Sequence, residues 1–345
     1  MTTFLTLSRL ASMTRALAPL AVAASLALLA AGCGSSDNNA GTTSSSGASG
    51  EKLAVVASFY PLQYAVEKVG GDHVNVTNLT KPGAEPHDLE LTPQDVAKVT
   101  SAKLAVYEKG LQPAVDKAIA EQGAKGAFDV SKGADLSLKA PEEDEHDHGK
   151  DPKASATPAP AASSEAHDHD HGGQDPHFWL DPVRYAKVAK ALSVKMGEVD
   201  PQHKADYDKN AEAFAKELDA LDKEFSAGLK TCTHRDLVTS HAAFGYLAQR
   251  YNLEQEAIAG ISPDQEPDPK RLGEIAAHVK EHKVGTIYTE TLVSPAIAQT
   301  VAKETGAQLA VLDPIEGLND KSAGKNYLEV MRANLATLKK GQSCG

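Results

Sequence analysis

The sequence predicts an α/β protein of two lobes, each built on a mainly parallel sheet, joined by one long rigid helix. Short apolar runs alternate with helical patterns over residues 53–139, and such alternation gives βα units with parallel strands. The same alternation resumes over residues 236–340. Between the two lies an amphipathic stretch of about 27 residues, a rod of ~40 Å if helical.

At the N-terminus, Arg9 and Arg15 precede residues 16–31, almost wholly Ala, Leu and Val, and the run ends in Leu29-Ala30-Ala31-Gly32-Cys33. A basic start, an apolar stretch and small terminal residues describe a secretory signal peptide over residues 1–32. A transmembrane helix is the other reading, but it needs ~20 apolar residues and this run is shorter. Small residues directly before Cys33 resemble the lipobox of bacterial lipoproteins, in which the cysteine carries lipid. Leu29 sits one place earlier than in the commonest pattern. Residues 33–50, rich in Gly, Ser, Thr and Asn, read as a flexible tether.

Composition narrows the rest. The chain has 345 residues, enough for one or two domains, and its 41% hydrophobic and 24% charged residues are those of a soluble globular protein. A net charge of −12 offers no basic stripe for phosphates, which excludes nucleic acid as a partner. Of three cysteines, a lipidated Cys33 leaves Cys232 and Cys344. Outside the cytoplasm such a pair forms a disulfide; two unpaired thiols are the alternative.

In the first lobe, residues 51–199, strands are expected at Leu53–Phe59, Val74–Leu79 and Lys103–Tyr107, with helices at Tyr64–Val69 and Pro93–Thr100. Residues 140–175 interrupt the pattern with Pro, Ala, Ser, acids and five histidines, a composition that forms no core. Asp181 then caps a helix begun by Pro182. The linking helix, residues 200–228, starts at Asp200-Pro201, carries Tyr207, Ala211, Phe214, Leu218, Leu221 and Phe225 on one face, and stops near Gly228. An ordinary surface helix fits the same pattern. The second lobe, residues 229–345, is expected to hold strands at Asp236–Ser240, Gly285–Thr289 and Gln308–Leu312, with helices at Ala242–Tyr251, Pro269–His282, Pro295–Thr305 and Lys325–Lys340.

Four segments near strand ends carry the chemistry: Gly83-Ala84-Glu85-Pro86-His87-Asp88-Leu89-Glu90, Asp175-Pro176-His177-Phe178-Trp179-Leu180-Asp181-Pro182, Thr239-Ser240-His241-Ala242-Ala243-Phe244-Gly245-Tyr246-Leu247 and Val311-Leu312-Asp313-Pro314-Ile315-Glu316-Gly317. Ligands of open α/β sheets bind beyond the carboxyl ends of the strands. Together these segments resemble the zinc-specific substrate-binding proteins of ABC importers, the cluster A-I metal-binding family, over nearly all of residues 51–345. The resemblance implies a metal in the inter-lobe cleft, held by His87, His177, His241 and Asp313. It also implies a monomeric, lipid-anchored extracytoplasmic receptor, not an enzyme, that serves an ABC permease and its ATPase. Three imidazoles and one carboxylate suit Zn²⁺. Manganese-selective members generally have a carboxylate where His241 stands, and oxygen-rich sites suit harder ions.

Two other functions fit parts of the pattern. A zinc hydrolase needs an open coordination position and a general base, for which Glu85 and Glu90 are the nearby acids; H-E-x-x-H and a nucleophile elbow are lacking. A surface adhesin of the same fold is the third reading. The loop histidines His146, His148, His167, His169 and His171 alternate with acids, a metal-binding composition read as low-affinity capture ligands; a solvated loop without a role is the bland reading. Deleting residues 141–173 is expected to leave the fold and one tight zinc equivalent intact and to remove weaker equivalents, as calorimetric stoichiometry will report; loss of the tight equivalent would move the primary ligands into the loop.

Overall fold

The computed structural model describes residues 51–140 and 173–345, and the alternation seen in the sequence becomes two four-stranded parallel sheets. The first sheet comprises β1 (Leu53–Ala57), β2 (Val74–Asn78), β3 (Leu104–Tyr107) and β4 (Ala127–Asp129). The second comprises β5 (Asp236–Thr239), β6 (Glu254–Ala257), β7 (Thr286–Thr289) and β8 (Gln308–Val311). Their orders, β2-β1-β3-β4 and β6-β5-β7-β8, are the same topology twice. Helices α1 (Tyr60–Gly70), α2 (Pro93–Ser101), α3 (Pro113–Gln122) and the short α4 (Ser131–Ala134) belong to the first sheet; α7 (Gly245–Tyr251), α8 (Pro269–Glu281), α9 (Ala296–Thr305) and α10 (Tyr327–Gly341) belong to the second. Between them run α5 (Pro182–Val199) and α6 (Lys204–Leu229). Among the described residues, no helix is long and apolar enough to cross a membrane. Cys33, the leader and the five loop histidines lie outside the described residues.

Strand alternation sorts side chains onto two faces. Leu53, Val55 and Ala57 of β1 and Leu104 and Val106 of β3 face a large shared core; Val56 and Ala105 face a smaller one under α2 and α3. In the second sheet Leu237 and Tyr288 enter the shared core, while Val238 and Ile287 pack against α8 and α9. The shared core therefore continues from one sheet, past the linking helices, to the other.

The buried stripe of α6 holds the predicted residues and Leu229. Each large apolar side chain buried there contributes about 1.5–3 kcal/mol. Helix α6 is tied at both ends. On the first lobe's side, Asn210 Nδ2 donates to the Val69 carbonyl at 3.0 Å and Tyr64 meets Phe214 edge-on. On the other, Arg332 grips Glu224 through two hydrogen bonds and Arg250 grips Asp222. Asp200 does not cap this helix. Pro201–His203 form a 3₁₀ turn, and the Asp200 carboxylate instead accepts from the Tyr207 hydroxyl at 2.6 Å. Asp181 does cap α5, accepting from Val183 N at 2.8 Å.

The stems of the interrupted stretch lie side by side. Lys139 and Gln174 form an antiparallel bridge, and Ala140 N donates to the Gly173 carbonyl at 3.2 Å, so a short turn can join them. The cysteine expectation is met by a Cys232–Cys344 disulfide, which ties the residues beyond α10 to the chain just after α6 across a sequence separation of 112. Cys344→Ser is expected to lower stability by about 2–5 kcal/mol, measured by denaturant unfolding; an unchanged midpoint would mean that the bridge adds nothing to the packing around it.

Candidate metal centre

The three predicted histidines meet, coming from three separate elements. His87 sits on the loop between β2 and α2, in a segment stiffened by Pro82 and Pro86. His177 immediately precedes the 3₁₀ turn Phe178–Leu180. His241 follows β5 by two residues. That last position is legible from topology: β5 lies between β6 and β7, where the strand order reverses and a crevice opens beyond the carboxyl ends. The expected helix from Ala242 begins only at Gly245, leaving His241 on an irregular turn.

The carboxylate they meet is that of Glu316, not Asp313. Glu316 Oε1 lies 3.3 Å from His87 Nε2, 3.3 Å from His177 Nε2 and 3.2 Å from His241 Nε2, all four side chains being buried. Tetrahedral ligands at 2.0–2.1 Å from one ion stand roughly 3.3 Å apart, and each of the three nitrogen–oxygen separations has that length. His177 Nε2 also has no hydrogen-bond partner despite its burial, as fits a lone pair directed at a cation. The donor set is N₃O.

Asp313 builds the turn that aims Glu316. Its Oδ1 accepts from Ile315 N at 2.8 Å and its Oδ2 from Thr291 Oγ1 at 3.1 Å. Asn334 holds its backbone from both sides, accepting from Asp313 N and donating to Asp313 O. Ile315 is thereby kept at φ 60°, a conformation costly for a β-branched residue and sustained only where its surroundings fix it. Trp179 Nε1 donates to the Pro314 carbonyl at 2.7 Å, which docks the His177 segment onto the Glu316 turn. The sequence segment contained both acids, and nothing in their spacing says which one turns inward.

Two further carboxylates were missed. Asp175 Oδ1 accepts from the His177 backbone N–H and lies 2.8 Å from His177 Nδ1. Glu290, directly after β7, does the same for His241, at 3.1 Å and 2.7 Å. Each carboxylate makes Nδ1 the donor and so frees Nε2 to coordinate. The approach is close enough that a methyl on Gly245 would stand 2.5 Å from Asp175 Oδ2. An Asp two residues before a His is a weak signal in sequence, and a Glu 49 residues away is none.

Charge at the site is strongly biased. Burial pushes the His87 imidazole down to about 4. Burial also opposes charge on His177 and His241, but Asp175 and Glu316 raise the first, and Glu290 and Glu316 hold the second well above 6.5. Burial would raise Glu316 too; His241 and the close approach of the other two imidazoles keep it well below the usual carboxylate range. Glu85, half-buried beside this anion, is pushed up to about 8 by burial and by Glu316, and so is mostly neutral at pH 7. A cavity of about 360 Å³, lined by Tyr60, Asn78, Lys81, Leu318 and others, opens onto Glu316.

Residues 55–341 match the family described as "ZnuA: Zinc-uptake complex component A periplasmic". The chain is 38% identical over 324 residues to the high-affinity zinc uptake system protein ZnuA of Bacillus subtilis, covering 92% of this chain and 95% of that one. It is 36% identical over 291 residues to the zinc-binding lipoprotein AdcA of Streptococcus pneumoniae, covering 84% of this chain but only 55% of AdcA. Among solved structures, the laminin-binding protein Lmb of Streptococcus agalactiae, described as having adhesin and metal-transporting activity, superposes with a TM-score of 0.69 at 34% identity, covering 84% and 99% of the two chains. A zinc(II)-bound mutant of AdcAII from S. pneumoniae gives 0.69 at 33% identity, covering 85% and 99%.

A raised imidazole keeps its proton below its elevated value and loses it as pH rises through that value. A coordinating imidazole must be neutral. At pH 7, loading the metal-stripped protein with Zn²⁺ is therefore expected to release protons, and apparent affinity to fall as pH drops. Calorimetry in buffers of different ionisation enthalpy measures this; identical heats would mean that neither His177 nor His241 carries a proton to lose.

Proposed function

Because the chain belongs to the zinc-uptake complex component A family, we propose that it is an extracytoplasmic receptor that captures Zn²⁺ between its lobes and delivers it to an ABC permease and its ATPase. The observation that carries this reading is the convergence of three Nε2 atoms on one buried carboxylate oxygen, drawn from elements before and after α6. His87, His177, His241 and Glu316 are the proposed ligands. Capture needs strong, dry, saturated coordination, and four protein donors supply it without redox chemistry. A hydrolytic centre would keep one position open and a base beside it. Here Asp175 and Glu290 are occupied with imidazole Nδ1 atoms, which favours the receptor. A cation also removes the cost of burying Glu316 as an anion, so binding and cleft closure reinforce each other.

Glu316→Gln separates the two acids of the segment. It is expected to weaken Zn²⁺ binding by more than the roughly 10–100-fold of a lost outer-sphere partner, and His241→Ala to do likewise. Asp313→Asn, which keeps an acceptor for Ile315 N, is expected to stay within that range. Competition with a chromophoric chelator measures all three; the reverse order would return the fourth ligand to Asp313. The proposed lipid anchor predicts that Cys33→Ser moves the protein from membrane to soluble fractions or blocks its processing, and unchanged membrane association would remove that part of the reading.

A further inference from the structure

At the far end of β5 from His241, a second group of metal-ligating side chains comes together. His278 and His282 stand one turn apart at the C-terminal end of α8, and Asp236 is the first residue of β5. His278 Nε2 and His282 Nδ1 lie 3.1 Å and 2.9 Å from the same oxygen, Asp236 Oδ1. The two rings stack, with centroids 4.1 Å apart and planes 20° apart. His278 Nε2 is buried and lacks a hydrogen-bond partner, so its approach to Oδ1 is close without the alignment of a hydrogen bond. An unsatisfied buried imidazole nitrogen is costly, and a shared cation satisfies it.

We propose that Asp236, His278 and His282 form a second, weaker divalent transition-metal site on the outside of the second lobe. The donor set is N₂O, with water completing the shell, and suits Zn²⁺, Cu²⁺ or Ni²⁺ rather than Mg²⁺ or Ca²⁺. The two nitrogens, 3.1 Å and 2.9 Å from Asp236 Oδ1, need move from it only by a few tenths of an ångström to reach the roughly 3.3 Å edge of a tetrahedron. The scaffold is already rigid. His282 N donates to the His278 carbonyl at 2.9 Å, Lys283 takes a left-handed φ of 54°, and Val284 N returns to the Val279 carbonyl at 2.9 Å. That closure fixes the helix end and both imidazoles with it. The helix C-terminus also presents the negative end of its dipole to the cation. Half-exposed His282, with 43% of its side chain accessible, supplies the entrance. An ion here joins α8 to β5, and this assignment does not depend on the cleft reading.

The test compares the full-length, metal-stripped protein with the His278→Gln, His282→Gln double variant. Both are given one molar equivalent of Zn²⁺ and then titrated further by calorimetry. The variant is expected to take up one equivalent fewer, while the first, tight equivalent is the same in both and reports on the cleft and the fold. Hydrogen exchange supplies a local readout. With free Zn²⁺ at 100 times the dissociation constant, opening of residues 278–284 should slow about 100-fold in the parent protein and not in the variant. Asp236→Asn should reduce both effects. Equal stoichiometry in parent and variant, or no zinc-dependent protection at the end of α8, overturns the proposal.

Discussion

The arrangement turns on one buried anion. Glu316 is 1% exposed, and an isolated carboxylate at such a depth costs several kcal/mol. Three imidazoles face it, each fixed by a different part of the chain. Much of the surrounding order exists to hold that anion and its partners in register: the Asp313 turn, the Trp179 bond to the Pro314 carbonyl, and the Asp175 and Glu290 brackets on the rings. Remove the convergence and these polar groups lose their reason for being buried. The lobes are thus coupled electrostatically at the cleft and hydrophobically through the shared core.

Repetition of the strand order explains where the outer carboxylates come from. β3 and β7 hold the same place in the two sheets, and each is followed at once by a buried glutamate, Glu108 and Glu290. In the second lobe that position brackets His241. In the first, burial and the neighbouring Asp129 drive the Glu108 carboxyl well above its usual range, so burial there favours its uncharged form. One topological position has been given two electrostatic roles.

Most of the fold was legible because its central strands are apolar and its helices are amphipathic. LAVVA, LAVY and TIYT announce buried strands. Two of the four edge strands do not: β6 reads EQEA and β4 has three residues, AFD. Exposure on one side removes the apolar signal, and sequence reading passed over both. Helix α3 was also missed, since only Val115 and Ala118 of its ten residues are buried. At the site, the three histidines stood out by their settings beside proline, tryptophan and strand ends. Glu316 did not, because the choice between it and Asp313 is made by backbone geometry. A side-chain acceptor two residues back and a left-handed Ile315 turn one acid into a brace and aim the other at the three histidines.

Helix α6 acts as a splint. Its buried stripe is packed along its whole length, and ion pairs and aromatic contacts fasten it to both lobes. A fastened rod about 39 Å long has little bending compliance, so the lobes cannot part far without tearing the shared core. At the lip, the loop carrying His87 meets the loop carrying Glu316 through a backbone hydrogen bond from Gly83 N to the Leu318 carbonyl at 3.1 Å and through the 3.3 Å approach of His87 Nε2 to Glu316 Oε1. Breaking one such bond costs about 1 kcal/mol, far less than bending the splint. A cation shared by His87 and Glu316 would tie these same two loops together, so unloading the cleft would require the lip, not the splint, to give way.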